Sequence, residues 1–139
     1  MRSLLTAAAA AVLLGPAASS AQVVPSAAEE LDSLRVYFDT GSAAVEQTQQ
    51  DTLDQAARLF RDGSPIVMVV AGGADTVGSP DANLDLSIRR AQAVVDGLVA
   101  RGIPADRLQL LGRGTSELEV ETDSGVDRRE NRVVEITWR

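Results

Sequence analysis

The chain has 139 residues, a net charge of −7 at pH 7, no cysteine and no histidine. Those absences exclude disulfides, thiol catalysis, thiolate or imidazole metal ligation and Ser-His-Asp chemistry. All 13 basic residues are arginine, and the acidic balance argues against non-specific binding to nucleic acid or anionic membranes.

Residues 1–21 are expected to form a cleaved signal peptide. Arg2 supplies the basic start, an apolar run extends from Leu4 to Leu14, and Gly15-Pro16 breaks it. Ser19 and Ala21 then form a Ser-x-Ala cleavage pattern, which makes Gln22 the new N-terminus. The run is shorter than the ~20 residues that span a bilayer. With no cysteine to carry a lipid, no direct membrane anchor is expected. Residues 22–32, small and polar-acidic, predict a short linker. Residues 33–139 are then one domain, exported to the periplasm.

Within that domain Leu34, Val36 and Phe38 alternate, predicting a half-buried strand that ends at Asp39. Val45, Leu53, Ala56 and Phe60 follow at helical spacing, until Gly63 and Pro65 stop the helix. "IVMVVAGG" is a continuous apolar run, and predicts a strand covered on both faces. Ser79-Pro80 has the form of an N-cap with proline at the first helical position. From there Leu84, Ile88, Ala91, Val95 and Leu98 predict one apolar helix face running toward Gly102. "DRLQLLGRG" and "NRVVEITWR" predict two more strands around an irregular segment, residues 115–130. The order is β-α-β-α-β-loop-β. Right-handed crossovers place the first strands parallel with both helices on one face, and the late strand returns antiparallel. The fold class is α+β: a two-layer sandwich with a mixed four-stranded sheet.

In this topology the loops after the first two strands leave the same sheet edge. "FDTGS" (38–42) and "GGADT" (72–76) are those loops, which makes Asp39 and Asp75 neighbours. On the second helix Asn83, Ser87 and Arg90 fall within ~60° of one another around the axis. This polar stripe, beside the apolar face, brings Asp75 and Arg90 to one cleft. Two readings fit: an internal ion pair that pins loop to helix, or a site for a ligand carrying both charges. Other motifs are weaker. "GRG" (112–114) lacks the third glycine and following helix of a dinucleotide fingerprint, and no Gly-Lys-Ser/Thr follows Gly72-Gly73. "ETDSGVD" (121–127) has the wrong carboxylate spacing for a calcium loop, and is expected to be a solvated acidic segment. No metal site, cofactor or catalytic group is expected.

The blocks "VYFDTGSAAV", "GGADTVGSPDANLDLSIRRAQAVVDGL", "LGRGTSE" and "NRVVEI" together resemble the OmpA-like C-terminal domain, the peptidoglycan-associating module also found in Pal and MotB. The resemblance runs from about Ser33 to Trp138. It implies non-covalent binding of the diaminopimelate residue in peptidoglycan stem peptides, with no catalysis. It places Asp75 at the ligand ammonium and Arg90 at its carboxylate. Asn83 lines the same pocket, beside Asp39, Thr40 and Gly41 from the first loop and Ala74 from the second. Arg132 matches the first arginine of an Asn-Arg-Arg signature. The chain departs from the family pattern in three places. Gly73-Ala74 replaces His-Thr, Val133 replaces the second arginine, and Ser116-Glu117 stands where a proline is usual. An alternative function keeps the fold without the ligand, as an interaction or assembly subunit that contacts another envelope protein.

Overall fold

The computed structural model describes residues 33–63 and 67–139. The expected leader, the linker and Pro65 lie outside the described residues. Among the described residues four strands are present: β1 (Ser33–Tyr37), β2 (Met68–Gly72), β3 (Leu108–Gly112) and β4 (Val133–Trp138). Two helices, α1 (Gln50–Gly63) and α2 (Pro80–Ala100), complete the expected order. The sheet order is β1-β4-β2-β3. β2 and β3 pair in parallel, while β4 runs antiparallel between β1 and β2. The late strand therefore fills the gap that the first crossover leaves.

Register explains both the core and the position of the site. Leu34, Ile136, Val70 and Leu110 stand in one row across all four strands. Side chains of one row share a sheet face, and this row packs against Leu53, Ala56, Ala91, Val94 and Leu98 of the helices. The next row is Val36, Val134, Gly72 and Gly112. Its two glycines admit α2 unusually close. A Cβ on Gly72 would lie 2.0 Å from the Ser87 carbonyl oxygen, and one on Gly112 would lie 2.3 Å from Ile88 Cγ1. The first half of α2 is thus pressed onto the sheet end from which the loops depart.

Two expectations change here. β2 is not covered on both faces: Val69 is half-buried, and Leu111, opposite Ala71 on the adjacent strand, is 48 % exposed. The open face instead carries the Arg35–Glu135 ion pair at 3.4 Å. A two-layer fold has helices for one face only, so the apolar run over-predicted the cover. On α2, Ala91 and Leu98 face the core as expected, but Leu84 and Ile88 are 44 % and 41 % exposed. Asn83, Ser87 and Arg90 take the inward positions instead. Near its N-terminus the helix meets loop carbonyls rather than apolar strand side chains, and donors are what that surface requires.

The start of α2 follows its sequence signal. Ser79 is extended, and its hydroxyl accepts from the Ala82 N–H at 3.2 Å, with Pro80 opening the helix. Ser79→Ala is expected to destabilise the domain by ~1 kcal/mol, measured by urea unfolding, because a first-turn donor loses its acceptor.

Candidate functional site

The loops after β1, β2 and β3 and the residues preceding β4 converge on the inner face of α2. Backbone bonds join them: Gly73 N–H to Val133 O (2.8 Å), Ala74 N–H to Gly114 O (3.0 Å) and Arg113 N–H to Gly72 O (2.8 Å). The Ser87 hydroxyl, itself bonded to Leu84 O, accepts from the Gly114 N–H at 2.9 Å. Gly41 takes the left-handed conformation (φ 68°) that turns the first loop back.

Arg90 lies at the centre of this convergence with 0 % exposure. Its Nε donates to Ser42 O at 2.8 Å, its Nη1 to Gly73 O at 3.1 Å and its Nη2 to Asp39 O at 3.0 Å. The guanidinium carbon also sits 5.4 Å from the centre of the Phe38 ring. One planar cation thereby ties the loop after β1 to the loop after β2, using three of its five donors. Burial pulls its pKa down to about 10, the Asp75 carboxylate opposes that fall, and Arg132 adds to it. Arg90 therefore stays charged at neutral pH.

Asp75 does not pair with Arg90. Its Oδ2 accepts from Arg132 Nη1 at 3.2 Å, both side chains being at least nine-tenths buried, and its Oδ1 accepts from the Val77 N–H. Arg132 also donates from Nε to Phe38 O at 2.8 Å and from Nη1 to Asp127. The internal ion pair that the sequence allowed exists, but Arg132 makes it. Long-range pairing of β4 with β2 delivers Arg132 to this place, and helical periodicity carries no trace of it.

All eight sequence-predicted residues gather at this one edge. Asp39, Thr40 and Gly41 form an exposed rim; Ala74, Asp75, Asn83, Arg90 and Arg132 lie buried behind it. Asn83 is 4 % exposed and borders a cavity of about 80 Å³, lined also by Thr76, Gly78, Pro80, Thr115 and Ser124. On the rim, the neighbouring Asp39 carboxylate raises the Glu46 pKa, since two adjacent carboxylates oppose each other's ionisation. No cluster suited to a metal ion occurs among the described residues.

Three residues were missed by sequence reasoning. Asn131 is buried and clamps the long loop, exchanging two 2.8 Å bonds with the Val120 backbone. Thr76 receives the acidic segment: Gly125 N–H donates to Thr76 O at 2.7 Å, and Val126 N–H to its hydroxyl at 3.1 Å. Asp127 reaches Arg132 and accepts from the Thr40 hydroxyl at 3.3 Å. "ETDSGVD" is solvated as expected, with every residue but Thr122 exposed, and its last three residues also make these contacts at the edge of the site. Only the adjacency of Asn131 to Arg132 offered any signal.

The comparisons with known proteins agree with this architecture. The sequence profile of the OmpA family matches residues 37–132. The peptidoglycan-associated lipoprotein of Rhizobium meliloti (strain 1021) is 36 % identical over 80 residues, 58 % of this chain and 46 % of that protein. Outer membrane protein A of Yersinia pseudotuberculosis serotype I is 40 % identical over 111 residues, 76 % of this chain and 30 % of that protein. The chain thus spans less than half the length of these curated relatives. The crystal structure of the peptidoglycan-associated lipoprotein from Burkholderia pseudomallei shares the fold, with a TM-score of 0.70, 24 % identity, and 76 % of this chain and 90 % of that chain covered. A profile match over most of the described domain and the same fold in a solved relative make one conclusion: this chain belongs to the OmpA family.

Proposed function

We propose that the domain binds peptidoglycan non-covalently in the periplasm, through the diaminopimelate residue of the stem peptide. One observation carries the reading: an aspartate and two arginines converge behind a single rim formed by Asp39, Thr40 and Gly41. The free end of diaminopimelate is a zwitterion, with an ammonium and a carboxylate on one carbon. Asp75 is the acceptor for the ammonium. Arg132, lying against it, is the donor for the carboxylate, and Arg90, which the resemblance placed at that carboxylate, is engaged with backbone carbonyls and adds positive potential from below. Asn83 offers its amide to the cavity at the same edge. The relatives named as peptidoglycan-associated lipoproteins support the ligand class.

Each charge-assisted bond in such a cleft contributes ~1.5–3 kcal/mol. Ordering a flexible stem peptide offsets much of that, so a single site is weak and the repeating polymer supplies avidity. The reading needs no catalytic group.

Pull-down with purified sacculi is the direct test, with protein in the pellet expected. Lysine-type peptidoglycan lacks the side-chain carboxylate, so its fragments should bind at least ~10-fold more weakly, a difference of ~1.4 kcal/mol. Equal calorimetric affinities would sink the zwitterion site. Protein left in the supernatant would select the alternative, an envelope-interaction domain. The mutual satisfaction of Asp75 and Arg132 is the feature that favours this second reading.

A further inference from the structure

Residues 122–127 form a strap across the proposed site. One end is held by Thr76, whose hydroxyl lies 3.0 Å from that of Thr122, and whose carbonyl and hydroxyl receive the N–H groups of Gly125 and Val126. At the other end Asp127 contacts the Arg132 guanidinium and the Thr40 hydroxyl. Asp75 already occupies the inner side of the same Arg132 nitrogen. Asp127 is therefore the second carboxylate on one guanidinium, and the one on its solvent side: its side chain is 60 % exposed, against 7 % for Asp75.

We infer that Asp127 is a tethered competitor that holds the carboxylate position on Arg132, so that a ligand's carboxylate enters only when the strap is released. This rests on the proposed peptidoglycan reading and deepens it. While Asp127 is seated, Arg132 is flanked by two anions, and a third carboxylate arriving there meets repulsion. An ammonium meets none. The strap thus discriminates by charge: it costs affinity for a zwitterion and none for a simple cation. Release is feasible because the Asp127 side chain is itself solvent-exposed and is held from a short turn rather than from the core.

Two variants separate the latch from general disruption. Asp127→Asn keeps the shape and removes the anion. Gly125→Ala keeps the anion but strains the turn, since Gly125 has φ +78° and an added Cβ would meet nothing within 4 Å. Titrations followed by amide resonances use meso-diaminopimelate and 1,5-diaminopentane, which keeps the ammonium groups but lacks carboxylates. Asp127→Asn is expected to tighten diaminopimelate binding about tenfold without tightening diaminopentane binding. Both variants are expected to speed hydrogen exchange at the Gly125 and Val126 amides about tenfold. Equal or weaker diaminopimelate binding by Asp127→Asn would overturn the inference, as would parallel gains for both probes. If diaminopimelate binds neither protein, the peptidoglycan reading fails. The latch is then decided by exchange alone, where acceleration in Asp127→Asn supports it and unchanged rates overturn it.

Discussion

Arg90→Ala is expected to lower the unfolding free energy by ~3–5 kcal/mol, because backbone carbonyls inside the fold lose the cation that donates to them. The side chain is fully buried and bonds three backbone carbonyls, those of Asp39, Ser42 and Gly73. Alanine leaves the Ser42 and Gly73 carbonyls without this donor, while the Asp39 carbonyl keeps the Ser42 N–H at 3.1 Å, and each buried unsatisfied group costs ~1–3 kcal/mol. It also leaves a cavity against Phe38. The gain in helix propensity is only a few tenths of a kcal/mol and does not offset this. The melting temperature should fall by at least ~10 °C. Arg90→Lys should recover only part of the loss, because one ammonium on a flexible stem cannot span three carbonyls in one plane. Thermal and urea unfolding of both variants check this. A change under ~1 kcal/mol for Arg90→Ala would show that the loops are held together by other contacts. Sacculus binding by either variant has to be measured on protein shown to be folded, since loss of loop geometry alone would abolish a site built from those loops.

Gly72→Ala should be nearly as damaging, at ~3 kcal/mol or more, through overpacking. The added methyl would stand 2.0 Å from the Ser87 carbonyl oxygen and 2.9 Å from its carbon, both of them backbone atoms. No rotamer change relieves that contact. Either α2 lifts from the sheet or β2 is displaced, and both movements pull Arg90 off its carbonyls. Gly63→Ala is the control: its Cβ would meet nothing within 4 Å, so stability should stay within ~0.5 kcal/mol. Gly73→Ala falls between them, with a Cβ 3.2 Å from the Asn131 carbonyl oxygen, a contact that small loop movements relieve. Chemical denaturation of the three variants gives the ranking. A harmless Gly72→Ala would mean that α2 does not approach the sheet as closely as the structure places it.

The alternation of Leu34, Val36 and Phe38, the Ser79-Pro80 cap and the order of elements were legible in the amino-acid sequence. Each is a local signal: period-two burial, a hydroxyl before a first helical turn, and the handedness of a crossover act over a few residues or one unit. The placing of Asp39 and Asp75 at one edge was legible as well, because loops leaving parallel strands must share an edge, whereas Arg132 was indicated only by the family resemblance. What only the tertiary structure decided is who bonds whom. Periodicity marked Leu84 and Ile88 as core and Arg90 as a polar flank, whereas the close approach at Gly72 and Gly112 turned Arg90 inward onto three carbonyls. Arg132 reached Asp75 through the insertion of β4 between β1 and β2, a pairing between residues 57 positions apart. Asp127 reached Arg132 because Thr76 and Asn131 fold the long loop back over the edge. Such contacts depend on sheet order and loop closure, which no local pattern of residues encodes.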